Sequence, residues 1–407
     1  MIAYHFPPLS GSSGIQRTLR FVRYLPQFGW NPIVLSAHTR AYEMTSPDLS
    51  TDVSPEIIVK RALAFDTARH LAIKGRYPGA LARPDRWVTW WPGGVILGLT
   101  MIRRYKPDLI WSTYPIATAH MIGASLHKLT GLPWVADFRD PMAQDGYPAD
   151  PATWKSFKRI EERAIMSASL CTFTTPGAVR YYSDRYPEAT DRLINIENGY
   201  DEETFEGFQP TMGALNPGMT TFLHSGIVYP SERDPTHLLL AIQHLLLSGL
   251  IQKDQLRIRF RAPKHEQLLN ELVKNLDLAD CIEVLPPIPY REALSEMMRA
   301  DVLLIMQAAN CNDQIPAKLY EYLRAGRPII GLTDLQGNTA EVLKRSGISS
   351  LAPLDNTTQI EALILRVLSA PNEGTLPLLS AVQGCSRWNR TKEFAKHLDY
   401  ICKCGEV

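Results

Sequence analysis

The chain alternates short apolar segments with amphipathic ones, and it does so in two series. "IAYHF" leads through the Gly/Ser loop "PPLSGSSG" into a helical pattern from about Ile15 to Phe28. "NPIVLSA", "DLIWSTY", a helix near 117–130, "PWVADF", "LCTFTT", a helix near 177–185 and "RLINIENG" carry the series to residue 199. Strands that alternate with helices build a parallel sheet covered on both faces. This order therefore predicts an α/β chain with a doubly wound parallel sheet.

After Asn198 the character changes. "GYDEETFEGFQPTMGALNPGMTT" is rich in Gly, Pro, Thr and acids and poor in apolar periodicity, as a linker is. A second alternating series starts at "TFLHSGI" (221–227) and runs through "LRIRFRA", "CIEVLPPI", "ADVLLIM" and "RPIIGL". The predicted organisation is a Rossmann-like domain over 1–205, a linker over 206–218, a second Rossmann-like domain over 219–375, and a terminal helix and tail over 376–407. "RWNRTKEFAKHLDYICK" reads as that terminal amphipathic helix. The first strand is stubby, which raises the question of whether the natural protein begins upstream of Met1.

Composition narrows the function. Lys plus Arg is 43 and Asp plus Glu is 42, so no global field favours nucleic acid. The six cysteines (171, 281, 311, 385, 402, 404) have no metal-ligand spacing and read as reduced thiols. The opening "MIAYHFPP" lacks the basic-then-apolar order of a signal peptide. The longest apolar run, "GGVILGLTMI" (93–102), is too short to span a bilayer. Flanked by "WVTWWP" and "RRYK", it reads either as a core helix or as a helix docked on a membrane surface. The expected location is cytoplasmic, peripheral on the inner face of the membrane if that docking holds.

The stretch "QIPAKLYEYLRAGRPIIGL" (314–332) carries the sharpest signal. It predicts a helix entered at Pro316, stopped at Gly326 and followed by a buried strand. Ile315 stands where a Ser, Thr, Asp or Asn cap belongs. An uncapped helix N-terminus in an open sheet is an anion site. Lys318 lies in its first turn, and a cation there is electrostatically wrong unless an anion binds. Glu321, on the same face, suits two sugar hydroxyls. The alternative is a surface Lys–Glu pair, with Asp313 as the cap.

Other stretches lean the same way. In "SGIVYPSERDP" (225–235), Arg233 either forks onto a phosphate or pairs with Asp234. In "PPLSGSSGIQR" (7–17), Gly11 and Gly14 either admit close backbone approach to a ligand or simply loosen a loop. "WVADFRDP" (134–141) crowds Asp137, Arg139 and Asp140 at a strand tip, as a site or as an ion pair that locks the next loop. His120 lies alone on a predicted helix, where a histidine is more often structural.

These segments together resemble the retaining GT-B glycosyltransferases of the large group 1, or glycosyltransferase family 4-like, family. The carriers are "FPPLSGSSGIQRTLRFVRYLPQFGWNPIVLS", "PWVADFRDP", "ENGYDEETF", "SGIVYPSERDP" and "DQIPAKLYEYLRAGRPIIGL", in family order over nearly the whole chain. The resemblance implies two Rossmann-like domains facing a cleft, with the terminal helix crossing back to the first domain. It implies a UDP- or GDP-sugar against the second domain, an acceptor entering from the first, and no metal or other cofactor. The acceptor would be a glycan or lipid-linked glycan in cell-surface polysaccharide or glycoconjugate synthesis. In the family's E-x7-E pattern the second acid, here Glu321, holds the ribose. The first matches Asp313, one methylene shorter, which with Gln314 would meet the donor sugar. Arg233 and Lys318 resemble the diphosphate clamp, and Gly11 and Gly14 the loop over the phosphates. Asp140, for acceptor contact, and Asp313 are the catalytic candidates, and Asp137, Arg139 and His120 are candidate cleft residues. Where the family has a Gly-rich turn this chain has "RAPKHEQ", so Arg261 and Lys264 are candidates for added positive charge. A sugar-nucleotide 2-epimerase and a non-catalytic sugar-nucleotide-binding scaffold remain as alternatives.

Overall fold

The computed structural model describes residues 1–11, 14–47, 50–207 and 213–404. They divide into two compact units, Met1–Asn198 with Arg387–Val407, and Gly199–Ser386.

The first unit is built on seven parallel strands: β1 (Ile2–Ala3), β2 (Ile33–Ala37), β3 (Ile58–Ala62), β4 (Ile110–Thr113), β5 (Trp134–Arg139), β6 (Leu170–Phe173) and β7 (Leu193–Asn195). Their order is β3-β2-β1-β4-β5-β6-β7. The short β1 is held on both sides, Ile2 lying opposite Leu35 and Ser112. Every residue of β4, β5 and β6 is buried, the expected state of a strand with helices on both faces.

The helix Trp90–Tyr105 contains the longest apolar run, and its inner face is core. A Cβ on Gly94 would lie 2.5 Å from Ile122, and one on Gly98 2.6 Å from Leu126. The two glycines therefore let this helix approach the helix Ala117–Thr130 closely. Its outer face carries the exposed Pro92, Ile96, Thr100 and Arg103. Among the described residues no helix is long and apolar enough to cross a membrane.

The terminal helix Arg387–Cys404 packs on the first sheet's layers. Phe394 sits 5.1 Å, ring to ring, from both Phe21 and Trp111, and Ala395, Leu398 and Ile401 complete the patch. Full burial of each large apolar side chain is worth roughly 2 kcal/mol. Trp30 Nε1 donates to Asp399 (2.8 Å) and Arg390 pairs with Glu197 (2.7 Å) at the rim.

The second unit repeats the plan with six parallel strands: β8 (Thr220–Ser225), β9 (Leu256–Arg261), β10 (Ile282–Leu285), β11 (Val302–Gln307), β12 (Ile329–Thr333) and β13 (Leu351–Ala352). The order is β10-β9-β8-β11-β12-β13. Its boundaries differ from those read in the sequence. Tyr200 and Phe205 are buried with Leu223, Leu303 and Leu323, so 199–207 belongs to this unit. Residues 376–386 also stay with it, Val382 and Cys385 packing in the same cluster. Residues 208–212, within the expected linker, lie outside the described residues. Among the described residues Cys171, Cys281, Cys311, Cys385 and Cys402 form no disulfide.

Candidate active site

An open parallel sheet binds ligands beyond its strands' C-terminal ends, where the strand order turns back. In the second sheet that point lies between β8 and β11. The loops that follow these strands meet there. Ala308 N donates to Glu232 O (2.7 Å), and Asn310 Nδ2 donates to Ser231 O (2.9 Å). The second loop then feeds the helix Lys318–Ala325.

That helix starts without a side-chain cap at Ala317. Its first turn is tight, with Leu319 N returning to Pro316 O (2.9 Å) and Tyr320 N to Ala317 O (3.3 Å). Gly326, at φ +66°, ends it in the left-handed conformation glycine tolerates. Asp313 and Gln314 are exposed just ahead of the first turn. The Gln314 carbonyl accepts from Gln307 Nε2 (3.2 Å) and Thr339 Oγ1 (3.2 Å), which pins the approach to the helix.

Lys318 turns its ammonium towards the end of β8, where Nζ lies 3.2 Å from His224 Nε2. Among the described residues no carboxylate forms a salt bridge with it. Burial, then the neighbouring Arg233, brings Lys318 down to about 7, with Glu321 opposing. Arg233 donates from Nη1 to Ile227 O (3.2 Å) and lies over the Tyr229 ring, 5.3 Å from its centroid. Among the described residues its buried Nε has no hydrogen-bond partner. The alternative partner, Asp234, instead accepts from Thr236 N (2.9 Å) and Oγ1 (2.6 Å). Two cations and an uncapped helix end thus converge, a set that suits a diphosphate. Glu321, one turn in, accepts from Tyr290 Oη (2.6 Å) through Oε1, which orients the carboxylate.

The "RAPKHEQ" loop keeps a glycine-like path without glycine. Ala262 (φ +54°) and Lys264 (φ +62°) are both left-handed. Each costs about 1 kcal/mol there. Val228 N donates to Pro263 O (3.1 Å) and Gly226 N to Arg261 O (2.8 Å), holding the loop against the one after β8. Lys264 is exposed. The expectation that Arg261 adds charge to the donor site fails on geometry. Its guanidinium grips Glu296 at 2.7 and 2.8 Å and the Pro286 carbonyl at 2.8 Å, beside a parallel Arg259–Glu296 bond.

The first unit revises three further expectations. Asp137 is buried and acts as a hub. Arg17 clasps it (3.0 and 3.3 Å), and Thr113 and Thr172 donate to it (2.8 and 2.7 Å). Burial pushes its carboxyl up, but Arg17 and Arg139 outweigh burial and hold it below its usual range. Arg139, at φ +63°, reaches Gly14 O (2.7 Å) and lies 3.7 Å from Asp137, so it braces the start of the helix Gly14–Tyr24. The tip is therefore locked by ion pairs, and Asp140 alone of the three is exposed. Asp140 Oδ1 sits 3.4 Å from Thr174 Oγ1. His120 is fully buried, bonded to Ser112 Oγ (2.8 Å) and lying 6.4 Å from the Tyr114 ring in a near-parallel stack. Burial pulls it down to about 4, the state of a neutral structural imidazole. Gly11 is left-handed at φ +79°, and a Cβ there would lie 2.6 Å from Met44. Ser12 and Ser13 between the two glycines lie outside the described residues.

Sequence reading missed His224, Tyr290 and Arg17. His224 carries a faint signal, a polar residue inside "TFLHSGI" just before the strand ends.

Residues 13–199 match the family model described as a glycosyl transferase 4-like domain. The first domain is similar to that family. The chain is a glycosyltransferase, and solved structures place its whole length in the GT-B fold. Anabaena HepE in complex with UDP and glucose is 14% identical, with 97% of this chain and 98% of that chain covered and a TM-score of 0.66. The Burkholderia xenovorans alpha,alpha-trehalose-phosphate synthase (UDP-forming), in complex with glucose-6-phosphate, is 12% identical over 97% and 98%, at 0.66. Sucrose-phosphate synthase from Thermosynechococcus elongatus is 14% identical over 100% and 96%, at 0.58. No curated protein sequence matches this glycosyltransferase.

Proposed function

We infer that this glycosyltransferase takes a hexose-type sugar from a UDP-sugar, with retention, and passes it to a glycan or lipid-linked glycan in cell-surface polysaccharide or glycoconjugate synthesis. The observation that carries the donor reading is the convergence of Lys318, Arg233 and the uncapped N-terminus of helix Lys318–Ala325, with Glu321 one turn in. UDP is the favoured nucleotide because the HepE structures hold UDP and UDP-glucose. Charge developing on the departing diphosphate meets these cations and backbone N–H groups, so the step needs no metal. Asp313 and Gln314, at the helix approach, would touch the sugar. Asp140 would meet the acceptor hydroxyl, whose proton passes to the leaving phosphate.

Titration calorimetry with UDP, GDP and ADP tests this reading. UDP should bind, and Glu321→Ala should weaken it about 10- to 100-fold through loss of charged hydrogen bonds to the ribose. Unchanged binding in the variant would remove the ribose role. With a UDP-sugar, product that forms without acceptor would instead favour the epimerase, and binding without turnover the scaffold.

A lipid-linked acceptor would bring the enzyme to a membrane. The outer face of helix Trp90–Tyr105, with Ile96 68% exposed and Arg103 and Arg104 following, suits an anionic lipid surface. Sedimentation with vesicles containing anionic phospholipid should pull the protein down. Ile96→Asp with Arg103→Glu should leave it in solution, and equal binding by this variant would sink the idea.

A further inference from the structure

We propose that His224 is a positioning residue for Lys318: a neutral imidazole that holds the ammonium at the anion site without cancelling its charge. The inference rests on the donor-site reading above.

The tautomer follows from the surroundings. His224 Nδ1 lies 3.0 Å from the Leu304 carbonyl, which can only accept, so Nδ1 carries the hydrogen. In a neutral ring Nε2 is then a bare lone pair. It faces Lys318 Nζ at 3.2 Å, and the ammonium must donate. A charged ring would set Nε2–H against an ammonium inside protein. Burial first, then Lys318, accordingly keeps His224 neutral far below its usual range. The charged groups facing the ammonium are Arg233 from the loop after β8 and Glu321 from its own helix. The Ile227 carbonyl also faces the His224 ring and, like Leu304, favours its protonated form, but burial and Lys318 outweigh both.

Chemistry explains why imidazole suits this position. A buried ammonium with no acceptor is costly. A carboxylate would satisfy it but would also neutralise it and compete with a bound diphosphate. The imidazole satisfies one N–H and leaves the others for phosphate oxygens. Gly226 provides the room, since at φ +124° a Cβ would lie 2.7 Å from Nζ. Together His224 and Gly226 fix where the positive charge stands.

Two experiments test this. The first is UDP calorimetry from pH 6 to 9 on wild type, His224→Phe and His224→Gln. His224→Phe should weaken UDP about tenfold at pH 7.5 and move the pH inflection lower, because the ammonium loses its acceptor. His224→Gln, whose amide oxygen can take over from Nε2, should recover most of the affinity. A folded His224→Phe with wild-type affinity and profile would overturn the proposal. The second is nitrogen-15 NMR of labelled histidine, which does not depend on any His224 variant folding. His224 should show a protonated Nδ1 and a bare Nε2, and in Lys318→Met it should titrate at higher pH. A protonated Nε2 in wild type would overturn the proposal. If wild type binds none of the three nucleotides, the donor-site reading fails, while the NMR result still decides whether His224 and Lys318 are coupled.

Discussion

Lys318→Met should abolish most of the activity and make the protein more stable. The ammonium stands at the helix end beside Arg233, where the charge of a departing diphosphate develops. Losing one such preorganised group typically costs about 10²–10³ in kcat, and lost donor affinity adds to it. We expect kcat/KM with a UDP-sugar to fall about 10³-fold. Stability moves the other way. Lys318, half-buried, is held at about 7 in the fold against 10.5 as its ordinary value, so between these pH values the unfolded chain binds the extra proton. Stability therefore rises with pH across that window, and below pH 7 the charged side chain is a standing cost. Methionine removes the cost, and the melting temperature at pH 6.5 should rise by a few degrees. Wild-type affinity for UDP should weaken as pH climbs through about 7, by up to about tenfold per unit, while the variant stays weak and flat. Calorimetry and thermal denaturation of both proteins read these outcomes. A variant with lost activity and lowered melting temperature would mark Lys318 as structural.

Asp137→Ala should be the most damaging change in the first unit. One carboxylate there satisfies Arg17, Thr113 and Thr172 and lies near Arg139, joining β4, β5, β6 and the helix Gly14–Tyr24. Removing it leaves buried guanidinium charge, which costs about 3–5 kcal/mol. In a domain of this size that lowers the melting temperature by roughly 6–20 °C. Asp137 is held below its usual range in the fold, so its contribution is fully present above the unfolded value near 3.8. It is lost as pH falls through the lowered folded value, and the variant should lack this part of the wild type's acid sensitivity. Denaturation curves at pH 3 to 7 check both points. A melting temperature within a degree or two of wild type would refute the hub.

Local pattern carried much of the architecture. Apolar runs of strand length, spaced by helical periods, made two parallel sheets legible before any contact was known. The missing cap at Ile315-Pro316-Ala317, the Lys318–Glu321 spacing and the stop at Gly326 are also local, because they depend on residues within one or two turns. The unit boundary was less legible. Tyr200 and Phe205 sit in a stretch that reads as linker, and only the second unit's core shows that they are buried.

Long-range pairing decided the rest. "WVADFRDP" and "RAPKHEQ" each offered charges with no means of choosing their partners. Arg17 lies 120 positions from Asp137 and Glu296 35 from Arg261, and strand order brings each pair together. His224 and Lys318 are 94 positions apart and touch because β8 neighbours β11, whose following loop leads into the Lys318 helix. The sequence by itself determined which elements form and that one helix begins uncapped. Only the tertiary structure decided which charges are consumed in ion pairs and which cations face an anion site. Partner choice among buried charges depends on distance in space, and periodicity along the chain does not encode that distance.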